Sequence, residues 1–260
     1  MKIIFDKINS FFLYLGGLFS FFLSFVNSVL SERFFLDVFM YEINSVGVKS
    51  FGVVALAGLF TGMVFVVQVG FNFMNMGAQS YIGGVVALAI LRELSPVLVS
   101  IIVAGRVGSA MAAEIGTMKI SEQIDALKML SVNPFSYLVT PKVLACFLMV
   151  PVLTVFSDFV GITGGAFVAV SQVGISYTSY TNSIVLWVEK YDILSGVFKA
   201  GIFGFVIALI SCYNGVITEG GAKGVGKAAT SSVVLSIISI LVLDYFLSVF
   251  LKYFYVFLYH

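Results

Sequence analysis

Long apolar stretches, interrupted by charge at only a few positions, follow one another along most of this sequence. They predict five membrane-spanning helices at about residues 48–73, 82–104, 143–173, 193–213 and 233–257. Each stretch is long enough to cross a bilayer, which takes about 20 residues in a helix. Neither an alternating strand pattern nor a sustained heptad accompanies them. We therefore expect an all-α integral membrane protein.

The stretch Phe11–Leu30 precedes these five and is ambiguous. It is uncharged and long enough to span, but weakly polar residues recur every three or four positions along a helix rich in Phe and Leu. These residues are Ser10, Tyr14, Gly17, Ser20, Ser24, Asn27 and Ser31. Such a stripe is typical of a helix that lies in the membrane interface. We therefore divide the chain into an N-terminal interfacial region, residues 1–45, and a membrane domain, residues 46–260.

The distribution of Lys and Arg favours this topology and gives it a direction. With five spans and a cytoplasmic N-terminus, the cytoplasmic segments carry Lys2, Lys7, Arg33, Lys49, Arg106, Lys119, Lys128, Lys142, Lys223 and Lys227. The opposite side receives Lys190 and Lys252. If Phe11–Leu30 also crossed the membrane, most of these basic residues would lie outside, against the positive-inside rule.

Two adjacent charges, Arg92 and Glu93, interrupt the second span. Neighbouring helical residues project about 100° apart, so the two cannot both face lipid at low cost. An ionisable residue at the centre of a span costs roughly 2.5–3.5 kcal/mol and needs a reason to be there. Pro96 removes a backbone hydrogen bond and is expected to bend the helix. One interpretation is a bent, polar point beside a cavity, where Arg92 meets a lipid phosphate. The other is an ion pair with a neighbouring span.

Three further charges lie inside predicted spans: Asp158 in the third, Lys199 in the fourth and Asp244 in the fifth. Counted from the outer ends of the spans, Lys199 and Asp244 lie at depths of roughly 9 and 20 Å, a difference that a long lysine can bridge. A buried pair would reduce the cost of each charge and would serve as a structural clamp or a gate. Asp158 has no evident partner and is expected to face the same polar interior.

A short amphipathic helix is predicted over residues 120–131, between the second and third spans. Its apolar face consists of Ile120, Ile124, Leu127 and Leu130. Acidic residues come early, Lys128 comes late, and Asn133-Pro134 ends the helix. An exposed helix of this kind suits docking into the groove of a partner protein, although a plain surface helix has the same pattern.

The composition agrees with a membrane protein and excludes several other classes. Hydrophobic residues make up 60% of the chain and charged residues 10%, against about 25% charged residues in soluble domains. The net charge of +1 provides no basic patch for nucleic acid. Cys146 and Cys212 lie in apolar runs, where buried, unbonded thiols are expected. The single histidine, His260, is the last residue, so no histidine-rich metal site is predicted.

The segment Gly220–Ser232 resembles a phosphate-binding loop. From Gly221 it has the spacing Gly-x-x-x-x-Gly-Lys, but Ala228 stands where that motif has a hydroxyl ligand for magnesium. It also lacks the preceding strand that such a loop requires. We predict instead a flexible turn into the fifth span, with Thr230 and Ser231 capping the helix. ATP is not expected to bind this chain.

Five motifs follow one another along the membrane domain: "LRELSPVL", "AGRVGSAMAAEIGTMKISEQIDAL", "NPFSYLVTPK", "VGITGG" and "GVGKAATSSVV". In this order they closely resemble the MlaE/YrbE family of ABC-transporter permeases, and the second motif is highly specific. The resemblance covers about residues 46–250, and it implies that residues 46–260 form an MlaE-type permease domain. The N-terminal 45 residues match only in character.

The resemblance implies a homodimeric permease that moves phospholipid or a related lipid between the inner and outer membranes of an envelope. The implied partners are a cytoplasmic ABC ATPase, which binds the ATP and magnesium, and a periplasmic Mce-domain lipid-binding protein. A small STAS-domain protein joins some systems of this type. The chain itself is expected to be non-catalytic and to lie in a bacterial inner membrane, or alternatively in a chloroplast inner envelope.

Site residues are also implied by the resemblance. Arg92, Glu93 and Pro96 match a family segment beside the lipid cavity, and Lys199 and Asp244 match positions of an intramembrane charge pair. The residues expected to couple the permease to the ATPase are Glu114, Glu122, Gln123, Asp125 and Leu127.

Two other classes compete with the permease. A membrane-embedded enzyme acting on lipids would need a Ser/His, paired-carboxylate or metal constellation at a membrane surface, and the sequence suggests none. A structural anchor for an envelope complex is the other alternative, but it leaves the intramembrane charges without a reason.

Overall fold

Helices make up nearly all of the computed structural model, which describes residues 2–31 and 35–259. The helices are α1 (Lys2–Ser31), α2 (Leu36–Val46), α3 (Phe51–Asn75), α4 (Ile82–Ala89), α5 (Ser95–Val103), α6 (Ser109–Ile120), α7 (Gln123–Met129), α8 (Thr140–Ser171), α9 (Tyr177–Trp187), α10 (Lys190–Val216) and α11 (Gly221–Tyr259). Within the described ranges there is no β-strand. Arg33 and His260 lie outside the described residues.

Six helical stretches in the described part of the chain are long and apolar enough to cross a membrane. They are Phe12–Leu30, Leu36–Asn75, Gln79–Ile120, Phe135–Ser171, Lys190–Val216 and Gly221–Phe257. This confirms the expected all-α integral membrane protein. The five predicted spans correspond to the last five stretches. Because Phe12–Leu30 meets the same criterion, the interfacial placement of α1 stays a prediction.

The stretch from α4 to α6 is continuous but contains two wider, π-helical turns. These turns, Ile90–Leu94 and Ala104–Gly108, each carry one arginine of the helix. The first ends directly before α5, where Pro96 occupies the first turn. Because the stretch is continuous, the N–H that Pro96 lacks leaves the carbonyl four residues earlier without its helical partner. The structure has a π-turn directly before α5, and the bend expected at Pro96 stays a prediction.

Small residues bring the central helices into close contact. α10 is the most buried of the candidate spans, and a Cβ added to its Gly204 would lie 2.5 Å from the backbone oxygen of Cys146 in α8. Between α3 and α8, a Cβ on Gly62 would lie 2.0 Å from the backbone oxygen of Gly161. Such small residues allow helices to approach closely in lipid. Gly62 and Gly204 therefore allow α3 and α10 to pack closely against α8.

α1 packs against the end of α10 and the start of α8. The Tyr14 hydroxyl accepts a hydrogen bond of 3.1 Å from Asn214 Nδ2, and Phe21 is buried against Phe135 and Tyr213. Ser20 and Ser24 are exposed, as expected for an interfacial stripe. The predicted stripe is nevertheless divided, because Tyr14 and Gly17 face the protein.

The segment predicted as one helix over residues 120–131 is interrupted. Ile120 ends α6, a turn at Ser121 and Glu122 follows, and α7 covers Gln123–Met129. Glu122 has a φ of +60°, in the left-handed region, and that conformation cannot continue a right-handed helix. Of the predicted apolar face, Ile124 is buried, whereas Leu130 is 73% exposed and lies beyond the helix.

α11 begins earlier than predicted. The segment Gly221–Ser232 is helical, so the expected flexible turn and the start of the fifth span near residue 233 are both wrong. The chain turns instead at Gly220 and Gly221, which have φ values of +87° and +68°. Thr230 does not cap a helix start: its hydroxyl donates to the Gly226 carbonyl, one turn earlier in the same helix, at 3.0 Å.

Candidate functional site: charges buried between the helices

Lys199 is the centre of a polar cluster inside the helix bundle. Its side chain is 2% exposed, and its ammonium donates to Glu93 Oε2 at 2.7 Å and to Asp244 Oδ1 at 3.0 Å. It also donates to Ser248 Oγ at 2.7 Å. The predicted charges of the fourth and fifth spans are therefore in contact, and Glu93 from the second span joins them. We call Glu93, Lys199, Asp244 and Ser248 the Lys199 cluster.

The proline in the second span exposes a further acceptor to this cluster. Pro96 has no N–H to offer the carbonyl of Arg92, which lies four residues earlier. Lys199 Nζ donates to that carbonyl at 3.0 Å. The π-turn, the proline and the buried lysine thus form one arrangement, in which a side chain from α10 satisfies a backbone group that the helix leaves free.

Arg92 makes an ion pair with Asp192 at the start of α10. Its Nε donates to Asp192 Oδ1 at 2.6 Å, and its Nη2 contacts the same oxygen. The Asp192 side chain is 1% exposed and also accepts a hydrogen bond of 2.7 Å from the Glu189 backbone N–H, closing a capping box at the N-terminus of α10. The Arg92 side chain remains 48% exposed. The expected contact of Arg92 with a lipid phosphate stays a prediction, and the guanidinium already has a carboxylate partner.

The charges of this region do not cancel. Lys199 faces the two carboxylates of Glu93 and Asp244, while Arg92 and Asp192 form a one-to-one pair. If all five groups are ionised, the sum is one negative charge. Glu93 is 48% exposed and therefore is the member of the Lys199 cluster best placed to meet a further polar group.

Asp158 does not join the Lys199 cluster. Among the described residues no hydrogen bond or ion pair connects it to Lys199. It lies in α8, is 6% exposed, and has a hydrogen bond to the Ser95 side chain. Its Oδ1 atom is buried and without a hydrogen-bond partner.

A second buried cluster lies where α2, α6 and α8 meet. Lys142 Nζ donates to Glu42 Oε1 at 2.5 Å and to Glu114 Oε2 at 2.8 Å. Lys142 and Glu42 are buried, whereas Glu114 is 51% exposed. Glu114 was expected to contact the ATPase, and the structure shows that its carboxylate is already fixed by a buried lysine. Only the exposed part of the Glu114 side chain is therefore available to a partner protein.

The other residues expected to contact the ATPase lie on and beside α7. Glu122, Gln123 and Asp125 are exposed, and Leu127 is half-buried. The Asp125 carboxylate accepts a hydrogen bond of 2.8 Å from Lys128. This bond and the nearby charge of Lys119 lower the pKa of Asp125 below its usual range, so this carboxylate is ionised at neutral pH.

Two cavities lie on the helices that carry these charged residues. A cavity of about 500 Å³ lies beside α7 and is lined by Ile115, Ile124, Phe135, Leu138 and Val216, with Lys119 and Lys128 at its edge. An apolar groove of about 670 Å³ runs between α8, α10 and α11. It is lined by residues such as Phe147, Pro151, Leu194, Phe198, Phe250 and Phe254. Arg92, Glu93 and Pro96 are not among the residues that line this groove.

Sequence reasoning missed Glu42 and Asp192, which pair with Lys142 and Arg92. Both lie outside the predicted spans, where acidic residues need no special explanation. A signal for Asp192 was available: Glu189 and Asp192 have the spacing of a capping box, which places Asp192 at a helix start. For Glu42, the sequence has no comparable signal.

Membrane-length helices with buried ion pairs between them define a multi-pass membrane protein, and charges of this kind are frequent in proteins that move substrates or ions through the membrane. The chain belongs to the MlaE permease family: the model of that family, described as Permease MlaE, matches residues 39–250.

Relatives of known name support this membership. The chain is 46% identical over 207 residues to a probable ABC transporter permease protein of Synechocystis sp., covering 80% of this chain and 79% of the relative. It is 42% identical over 223 residues to a probable ABC transporter permease protein of Rickettsia felis, covering 86% of each. It is also 45% identical over 211 residues to the protein TRIGALACTOSYLDIACYLGLYCEROL 1, chloroplastic, of Arabidopsis thaliana, covering 81% of this chain and 60% of that protein.

Proposed function

We propose that this chain is the membrane subunit of an ABC transporter that moves phospholipid or a related lipid between the inner and outer membranes of an envelope. Relatives named as ABC transporter permeases support the transporter assignment. The Arabidopsis relative is named for a diacylglycerol lipid, which supports a lipid substrate. The single observation in the chain that carries the proposal is the Lys199 cluster, because buried charges in a span need a functional or structural reason.

The lipid path combines an apolar surface with polar groups. The groove between α8, α10 and α11 has room for hydrocarbon, and aromatic side chains line much of it. Arg92 and Glu93 are both about half exposed, at 48% each, and sit on the π-turn of the second span. We infer that a lipid headgroup passes these two residues while its acyl chains remain in apolar surroundings. Competition between a headgroup phosphate and Asp192 for Arg92 would then link lipid binding to the start of α10.

The ATPase is proposed to dock on α7. This short helix carries exposed Glu122, Gln123 and Asp125 and borders a cavity, so that it can move with little loss of packing. Glu114 reaches the same end of the molecule through α6, next to the buried Lys142. ATP and magnesium are assigned to the partner, because the sequence resembling a phosphate-binding loop is part of helix α11.

The orientation and the further partners follow the expectations from the sequence. With α7 in the cytoplasm, Lys119, Lys128 and Lys142 lie on the side that the positive-inside rule favours for basic residues. We place the chain, with its N-terminus in the cytoplasm, in a bacterial inner membrane or a chloroplast inner envelope. A second copy of the chain, a periplasmic Mce-domain protein and, in some systems, a STAS-domain protein complete the proposed transporter.

Reconstitution tests this function. The chain is placed in vesicles with its ATPase and its Mce-domain partner, and transfer of labelled phospholipid is followed with and without ATP. The double variant Glu122→Ala, Asp125→Ala should abolish ATP-dependent transfer without unfolding the chain, because both side chains are exposed. Glu219→Ala, at another exposed acidic residue, is the matched control and should transfer normally. Unchanged transfer by the double variant would show that α7 is not the docking site. Absence of ATP-dependent transfer by the wild-type complex would contradict the function itself.

A further inference from the structure

Asp158 is a buried acidic residue that the proposed transport mechanism does not use. Its side chain lies in the middle of α8, is 6% exposed and has a hydrogen bond to Ser95. Its Oδ1 atom has no partner. A buried carboxylate without a cation is far less stable than one in water, so such a group is normally paired or neutralised.

Among the ion pairs of the described residues, none involves Asp158. Of the elements packed against α8, the helices α3, α4, α5 and α9 carry no charged residue. The charged residues of the others are Lys2, Asp6 and Lys7 of α1, Asp37 and Glu42 of α2, Arg92 and Glu93 of the π-turn, and Lys190, Asp192 and Lys199 of α10, with Lys142 on α8 itself. Within the described contacts, Lys142, Arg92 and Lys199 are bound to other carboxylates. Lys190 is exposed at the start of α10.

The hydroxyl of Ser157, next to Asp158, differs from the other hydroxyls of α8 in its hydrogen bonding. The other hydroxyl residues of α8 after Thr140 donate to the carbonyl one turn earlier, as Thr154 does to Val150 at 2.9 Å and Ser171 does to Phe167 at 2.7 Å. Ser157 is 1% exposed, and its hydroxyl has no partner. Its hydroxyl therefore remains available to another molecule.

A cavity the size of one water molecule adjoins Ser157 and Ser95. It has a volume of about 10 Å³ and is lined by Ser157, Ser95 and Thr61, among others. A buried water needs roughly this much space and two to four polar partners. Gly58 keeps the space open, because a Cβ there would lie 2.6 Å from Ser157 Oγ.

We propose that Asp158, Ser95 and Ser157 form a binding site for one proton and one water molecule within the membrane. Asp158 is present as the neutral carboxylic acid at neutral pH, hydrogen-bonded to Ser95. The water occupies the cavity, which Ser157 and Ser95 both line, and provides the partner that Ser157 Oγ lacks, while Ser95 connects it to Asp158. The proton replaces a counter-cation, so three helices, α3, α5 and α8, meet around a carboxyl group without a charge.

Infrared spectroscopy tests the protonation state directly. In the purified wild-type chain at neutral pH, labelling aspartate with ¹³C at the carboxyl carbon should shift a protonated-acid carbonyl band, and Asp158→Asn should lack that band. In Ser157→Ala the band should move, because the water loses a partner. In Ser171→Ala, where the hydroxyl donates to the backbone, it should not. A carboxylate band from Asp158 at neutral pH would contradict the bound proton. An acid band that Ser157→Ala leaves in place would contradict the bound water.

Stability against pH is the second measurement, and it does not depend on transport. At mildly acidic pH, above the pKa of an unfolded aspartate of about 3.9 and below that of the buried acid, unfolding releases the proton of Asp158, so the unfolding constant of the wild type, relative to Asp158→Asn, should rise about tenfold per pH unit. The asparagine variant should otherwise fold normally, because it is neutral and of the same size. If Asp158→Asn fails to fold, or if the ratio does not change with pH, then the site needs a charged carboxylate and the proposal is wrong.

Discussion

Lys199 makes the clearest prediction at the scale of single residues. Its ammonium is held between Glu93 and Asp244, and the side chain is 2% exposed. Lys199→Met would leave both carboxylates without their cation in the bundle. Removing one partner of a buried ion pair typically costs about 3–5 kcal/mol. We therefore expect a fall of this size in the free energy of unfolding, measured by denaturation in detergent.

The same cluster offers a rescue and a control. Adding Glu93→Gln and Asp244→Asn to Lys199→Met removes all three charges, and most of the lost stability should return, because no group is left charged and unpaired. Lys252→Met, at an exposed lysine of α11, should have little effect. If Lys199→Met is as stable as the wild type, the contacts of the Lys199 cluster do not hold the helices together.

How far single residues can be predicted from the sequence depends on where they lie. Lys199 and Asp244 are noticeable because they interrupt apolar runs, and the depth argument brings them within reach of each other. Glu42 and Asp192 are also buried but lie outside the predicted spans, where an acidic residue is unremarkable. Their partners are about 100 residues away in the chain, and only the packing of the helices brings them together.

At the scale of helices, the apolar runs predict the existence of the spans but not their ends. The sequence "GAKGVGKAATSS" contains three glycines, which suggests a loop, and yet it is the first part of α11. A Cβ on Gly224 would lie 1.8 Å from the Glu219 carbonyl oxygen, so this glycine is needed for packing rather than for flexibility. The close approach of the turn before α11 thus requires a glycine in the first part of the helix, despite its low helix propensity.

The backbone conformation at the two ends of α7 gives a second prediction at the scale of helices. Glu122 and Ser131, which flank it, are the non-glycine residues of the described chain with positive φ values, +60° and +59°. A left-handed residue with a side chain costs about 1–2 kcal/mol. Ser131→Gly should therefore raise the free energy of unfolding by up to about 1 kcal/mol, after the entropy cost of the glycine.

Ser121→Gly is the matched control for this change. Ser121 has a φ of −85°, and its hydroxyl donates to the Thr117 carbonyl at 2.8 Å. The glycine there should destabilise by roughly 0.5–1 kcal/mol, because it adds freedom and removes no strain. Thermal unfolding of both variants should show a higher stability for Ser131→Gly and a lower stability for Ser121→Gly than for the wild type. Equal effects at the two positions would mean that Ser131 is not strained.

The seating of α1 can be tested with two neighbouring glycines. A Cβ on Gly17 would lie 2.0 Å from the Tyr213 hydroxyl, whereas a Cβ on Gly16 would have nothing within 4 Å. Gly17→Leu should separate α1 from α10 and increase cleavage of α1 by a protease. Gly16→Leu should leave the contact intact and stabilise the helix by about 0.5–1 kcal/mol. Similar protease sensitivity of the two variants would argue against this contact.

At the scale of the whole molecule, α8 is long enough to connect the two sides of the membrane. Its 32 residues extend for about 48 Å, more than the hydrocarbon thickness of a bilayer of about 30 Å. Thr140 begins α8 and Ser28 of α1 lies 3.5 Å from it, while Tyr14 of α1 contacts Asn214 near the end of α10. Both contacts of α1 thus fall where α8 starts and α10 ends. These two contacts agree with a helix that lies across one end of the bundle, whereas the ring contacts of Phe22 and Phe25 with Phe205, farther inside α10, agree with one that runs along it.

Labelling of single cysteines distinguishes the two placements of α1. Cys146 and Cys212 are buried and unbonded, so they should remain unlabelled in the folded protein. If α1 lies in the interface, Asn9→Cys and Met129→Cys should react with a membrane-impermeant thiol reagent from the same side, and Leu186→Cys, in α9 beyond the far end of α8, from the opposite side. If α1 crosses the membrane, Asn9→Cys should react from the side of Leu186→Cys. The first outcome fixes five spans, with α7 on the side of the N-terminus, where a cytoplasmic ATPase must dock. The second requires six spans and moves α7 to the side opposite the N-terminus.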